Sequence, residues 1–291
     1  MEGPAPAWVV PAMRAGFAAR AVVFGLIGWL ALGAAWQGGY AEGPGEALKS
    51  LTDEEFGTPL LWAIAGGAFG FAGWCLMAAA LDLDCRGKDA RGIFARLDFA
   101  GTGLLYIVIG VFIAQLAATG IDGGGGEGET RERGTAWLLA LPAGGWIVIA
   151  VGIGFIVAGL WFGYKGLAGK YRERLRDTDM VERLDPICKF GWVAYGLVIM
   201  ILGGFLVWAG WTLDPTHAGG FADVFALVRE AVFGRVLLGV LAFGFMAFAV
   251  ECLVEAAYRI VPARHGRDAP TLAARRMAAR SAAAGARPRP G

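Results

Sequence analysis

Residues 14–28, RAGFAARAVVFGLIG, return at 96–110 as RLDFAGTGLLYIVIG and at 189–203 as KFGWVAYGLVIMILG. Each copy begins on a cation (Arg14, Arg96, Lys189) and carries an aromatic ring three residues later (Phe17, Phe99, Trp192). Each closes on a glycine 14 residues after the cation: Gly28, Gly110 and Gly203. The first two copies are identical at 5 of 15 positions. A second apolar segment follows each copy and repeats in turn. Gly57, Gly67 and Trp74 correspond to Gly144, Gly154 and Trp161, then to Gly234, Gly244 and Glu251. A pair of hydrophobic helices used three times defines an architecture. It does not name a reaction.

Composition agrees. Apolar residues make up 57% of the chain and charged residues 18%, with 47 glycines in 291 residues. Soluble domains carry about a quarter charged residues, whereas glycine is tolerated where membrane helices approach closely. The apolar runs place spans at 17–36, 59–81, 99–118, 143–164, 190–211 and 233–257. Each is about 30 Å long at 1.5 Å per residue, enough for a hydrocarbon core. The first run is too long for a signal-peptide core, lacks a small-residue cleavage site and is one copy of the repeat, so it reads as a helix. Trp36, Trp208, Trp211, Trp62, Trp146, Trp74 and Trp161 fall towards span ends, as in an aromatic belt. The expected fold is all-α: a polytopic integral membrane protein of six transmembrane helices. Three tandem repeats, 14–81, 96–164 and 189–257, would form a pseudo-threefold bundle, followed by a basic, disordered tail at 258–291. Repeats with an even number of spans keep one orientation, so an axis along the membrane normal can relate them.

Of the 26 Lys and Arg, 21 fall in the N-terminus, 82–97, 165–189 and the tail, and 5 on the other side. This bias predicts cytoplasmic termini. On the outer side 45–51, 135–141 and 221–228 offer apolar stripes suited to short interfacial helices, and 123–128 (GGGGEG) reads as a flexible connector. On the inner side, 170–185 has mixed charge at helical spacing and predicts one short solvated helix.

Glu251 and Glu255 are the sharpest candidates for chemistry. Four residues apart, they share one face of the sixth span near its inner boundary. An intramembrane carboxylate is costly and suggests a proton relay or cation site. The structural alternative is an ion pair with Arg14, Arg20, Arg96 or Lys189, all expected at that depth. Those cations are equally candidates for contacting lipid headgroups. Gly66-x-x-x-Gly70 and Gly159-x-x-x-Gly163 would permit close helix crossings. Cys75, Cys85, Cys188 and Cys252 have no CxxC spacing and read as free thiols. His217 and His265 fall on opposite sides, so no metal or other cofactor is expected. Asp214 and His217 lack a nucleophile beside them, and no cluster of His, Asp or Glu marks a catalytic centre. An enzyme is not expected.

The unit of Arg-x-x-Phe, an aliphatic span with its glycine, an outer loop and Gly-x9-Gly in the partner helix resembles a bacterial six-helix family, domain of unknown function 1206. The resemblance covers about residues 14–257 and implies a multi-pass protein of the bacterial cytoplasmic (inner) membrane. It carries over no catalytic or ligand residues, and Glu251 departs from it by standing where the other copies have Trp74 and Trp161. The expected role is a non-catalytic membrane module that binds membrane lipids or another membrane protein, with no nucleic acid among its partners. The alternative is a small proton- or cation-linked transporter or channel using Glu251. The scarcity of polar groups at mid-span favours the first.

Overall fold

The structure, a computed structural model, describes residues 8–37, 48–49, 51–54, 56–83, 89–120, 127–176 and 178–260. Its helices are α1 (Val9–Gln37), α2 (Gly57–Leu81), α3 (Ala90–Thr119), α4 (Glu127–Leu139), α5 (Gly144–Ala168), α6 (Asp179–Thr212), α7 (Phe221–Glu230) and α8 (Gly234–Tyr258). Six of them, α1, α2, α3, α5, α6 and α8, are long and apolar enough to cross a membrane. The protein is an all-helical, multi-pass membrane protein.

The first helix of each repeat starts well before its apolar run. Asp89 caps α3 by accepting from the Gly92 amide at 3.2 Å, and Thr178 caps α6 by accepting from Val181 at 3.3 Å. The polar lead-ins therefore continue the helix rather than forming loops. Residues 170–185 do not make the single helix expected of them. Lys170–Arg174 is a 3₁₀ turn, Leu175 bridges to Arg259, and α6 then begins at Asp179. Glu127 and Gly128 belong to α4 and not to a flexible connector, while 123–126 lie outside the described residues. α7 does not lie free along an interface: Val224 and Phe225 are buried, with the Phe225 ring 5.6 Å from Phe245 of α8.

The closest packing joins consecutive repeats rather than the two helices of one hairpin. α5 lies on α6, α2 on α3, and α1 on α8, which closes the order into a cycle. Glycines from the sequence repeat occupy these seams at equivalent places. A methyl group on Gly28 would strike Met246, on Gly110 the Phe69 ring, and on Gly203 Ile156 and the Gly152 carbonyl. Met246, Phe69 and Ile156 are one position of the repeat. At the head of each second helix, Gly57, Gly144 and Gly234 sit under the carbonyls of Leu51, Leu138 and Arg229, where no β-carbon fits.

Within the hairpins the symmetry fails once. In the first repeat Gly16 meets Phe71 and Gly67 meets Ala19; in the third, Gly191 meets Phe248 and Gly244 meets Ala194. These are the same two contacts. The middle repeat has Gly101 and Gly154 at the second pair of positions, yet a β-carbon on either would meet nothing within 4 Å. α3 and α5 are at most marginally in contact and are the least buried of the six spans. The position of Gly16 and Gly191 is taken here by the exposed Asp98, a larger, charged side chain where the other hairpins bring backbone against a ring. The bundle is thus a cycle of six helices, equivalent at its inter-repeat seams and open between α3 and α5.

Candidate functional site

The crossing of α6 and α8 at Gly191 brings Trp192 beside the α8 face that carries both carboxylates. Its indole Nε1 donates to Glu251 Oε1 at 2.9 Å. Glu251 is 1% exposed and Glu255 2% exposed. One turn further on, Arg259 donates to Glu255 in a buried pair. The Arg259 guanidinium lies over Trp74, 4.8 Å from the ring centroid, and near Phe17 at 5.4 Å. A backbone strap holds it there: Ile260 N donates to the Arg174 carbonyl at 2.8 Å and Arg176 N to that of Tyr258 at 2.9 Å. Residues 258–260 therefore belong to the folded body, while 261–291, His265 among them, lie outside the described residues. Trp74 is 2% exposed, a core residue and not part of an aromatic belt; Trp36, Trp62, Trp146, Trp161, Trp208 and Trp211 are exposed.

The expected ion pair of Glu251 with Arg14, Arg20, Arg96 or Lys189 is not formed; among the described residues no cation comes within ion-pair distance of it. Each cation is directed elsewhere. Arg14 is exposed. Arg96 donates to the carbonyls of Ala79 (2.6 Å) and Ala80 (3.1 Å), closing the last turn of α2. Lys189 lies 3.7 Å from Asp185. Arg20, half-buried, turns into a cage of rings, with Phe17, Phe24, Phe71, Tyr106 and Phe248 centred 5.4 to 5.8 Å away. Its charge is turned to ring faces and, at longer range, to Glu251.

Lys165, near the end of α5, completes the cluster. Its Nζ stands 3.7 Å from the Trp192 ring centroid, and its charge acts on Glu255 and Glu251. Beside this group a second knot anchors the start of α6. Arg172 grips both Asp185 oxygens, and the Tyr171 hydroxyl donates to the same carboxylate. Burial, then the bond to Asp185, holds the Tyr171 phenol well above its ordinary range. Cys75, Cys188 and Cys252 are free and buried; Cys85 lies outside the described residues. At the opposite end Asp214 caps the turn before His217. The Thr216 hydroxyl and amide hold its carboxyl below the usual carboxylate range. Among the described residues no group of three His, Cys, Asp or Glu is placed to hold a metal.

Sequence reasoning located both buried carboxylates but not Trp192, Lys165 or Arg259 as their neighbours. Trp192 stood in plain view as the repeat's aromatic position. Arg259 was hidden by an Ala-, Arg- and Pro-rich continuation with the composition of a tail.

Fold and cluster together define a multi-pass membrane protein built from three copies of a helical hairpin, with a charged knot at the end that carries Val9 and Tyr258. The family model Domain of Unknown Function (DUF1206) matches residues 15–82, 97–169 and 190–259, one match per copy, and the chain belongs to that family. It is similar to the Uncharacterized protein YxxB of Bacillus subtilis (strain 168), at 27% identity over 256 residues, covering 87% of this chain and 92% of the relative. No solved structure matches it.

Proposed function

We propose that the protein is a non-catalytic module of the bacterial cytoplasmic membrane that takes a lipid sideways, from within the bilayer, between α3 and α5. The observation that carries this reading is the open seam of the middle repeat. Gly101 and Gly154 face empty space where the equivalent residues of the other repeats are packed helix against helix. Small residues that line a gap wide enough to leave them untouched suit an acyl chain lying along the helices. The distribution of Lys and Arg supports cytoplasmic termini. Labelling of single cysteines from the periplasm is then expected at 213–228 and not at 166–185.

The test is retention of lipid. Protein purified in mild detergent is expected to carry lipid through native mass spectrometry, and Gly154→Leu, which puts a side chain into the gap where a β-carbon meets nothing within 4 Å, is expected to lose it. Equal retention by both proteins would sink the reading, and a co-purified membrane protein displaced by Gly154→Leu would replace lipid as the occupant. Transport through Glu251 is the second reading. The bond from Trp192 favours a fixed carboxylate, so reconstituted protein should show no proton flux. A flux lost in Glu251→Gln with stability kept would favour transport instead.

A further inference from the structure

We infer that Arg20 and Lys165 are the receptor for a phosphate-bearing anion at the base of the α3–α5 opening. This deepens the lateral-lipid reading and rests on it.

Four observations converge. Arg20 makes no hydrogen bond to any described residue, and its Nε is buried without an acceptor. Ring faces stabilise its charge but offer no lone pairs to its five directional donors. Lys165 likewise has the Trp192 ring as its close partner and no carboxylate within ion-pair distance. Both side chains are half-buried, so part of each stays accessible.

The charges do not balance. Arg20, Lys165 and Arg259 face Glu251 and Glu255, and Arg259 is committed to Glu255. Three cations thus stand against two carboxylates in a low-dielectric setting, an excess that an anion would offset.

The repeat does not require these cations. Thr102 and Tyr195 occupy the position of Arg20 in the other copies, and Ala78 and Glu255 that of Lys165. The fold builds its helices without them, so they are additions of this chain's first and second units.

Finally, both borders of the opening reach the site. Tyr106 of α3 stands against Arg20, its ring centroid 5.8 Å away, and Lys165 is itself on α5. A forked guanidinium with a nearby ammonium suits the oxygens of a phosphate. That phosphate belongs either to a phospholipid head group or to a free anion.

The full chain in nanodiscs of phosphatidylcholine doped with phosphatidylglycerol separates these sources, with inorganic phosphate added in a parallel arm. We expect phosphatidylglycerol to be retained over phosphatidylcholine by roughly tenfold. Lys165→Gln should bring the ratio close to parity, and so should Arg20→Gln. The exposed Arg133→Gln at the opposite end should leave it unchanged. Should Arg20→Gln fail to fold, Lys165→Gln decides alone. Inorganic phosphate that shifts the tryptophan emission of the wild type, but not that of Lys165→Gln, would support the same site with a free anion as ligand. An undiminished preference in a folded Lys165→Gln protein, with no phosphate effect, overturns the receptor. The lateral opening then still stands if Gly154→Leu abolishes lipid retention. No retention by the wild type with a phosphate effect present keeps the receptor and removes the lipid reading.

Discussion

Arg259 opens a stretch that composition reads as a tail, yet its guanidinium is buried on Glu255 beneath two aromatic rings. Removing one partner of a buried pair strands the other, at about 3–5 kcal/mol. We therefore expect Glu255→Gln to lower stability by that order in denaturant titrations. Trp192→Phe should cost less, about 1–3 kcal/mol, because it removes one donor from Glu251. An equal or reversed ranking would show that Glu251, not Glu255, anchors the cluster. Tyr171 adds a pH dependence. Its folded pKa lies above the ordinary value of 10.0, so its stabilisation is whole below about pH 10 and lost as pH rises through the folded value. Tyr171→Phe should flatten that alkaline decline in a thermal-shift series. The carboxylates were legible in sequence because acid stands out in an apolar run. Their partners were not, because pairing depends on how the strap after α5 crosses the end of α8, and no local pattern encodes that crossing.

At the scale of the helix, α5 and α6 meet through glycines seven residues apart. Gly145, Gly152 and Gly159 on one face Gly210, Gly203 and Gly196 on the other, each positioned so that a β-carbon would press on the opposite backbone. A seven-residue period keeps one stripe in contact only if the helices wind left-handedly about each other. The Gly-x-x-x-Gly pairs were the weaker guide. A β-carbon on Gly66 or Gly163 would meet nothing within 4 Å, whereas Gly70 packs on Ala12 and Gly159 on Gly196. The seven-residue spacing was present in the sequence but only becomes meaningful once the partner stripe is known. Gly203→Leu is expected to destabilise the protein by about 1–3 kcal/mol or more through overpacking, and the adjacent Gly204→Leu to be tolerated, since nothing lies near it. Comparable losses from both in the same unfolding assay would mean that the seam is not close-packed.

For the whole molecule, the three-copy pattern revealed six spans and their order, while the opening coincides with departures on both sides of one contact, Asp98 in place of Gly16 and Gly191 and Ala158 in place of Phe71 and Phe248, visible only when the copies are compared. In a cysteine-free background, cysteines at positions 19 and 67 should cross-link readily and those at 101 and 154 should not. A cross-link at the second pair would show the middle hairpin closed. A circular permutant with its ends joined and its chain cut between Gly120 and Glu127 should fold, because the spans α3 and α5 on either side of that cut are at most marginally in contact. The closing of the cycle by α1 and α8 also has a temporal side. Arg235 at the head of α8 donates to the carbonyls of Ala35 and Trp36, across 200 and 199 residues of chain. During synthesis α1 therefore enters the bilayer with the Gly28 notch uncovered and keeps it so until the last helix is made, a window in which lipid or an insertion chaperone would have to fill the groove that Met246 occupies in the finished fold.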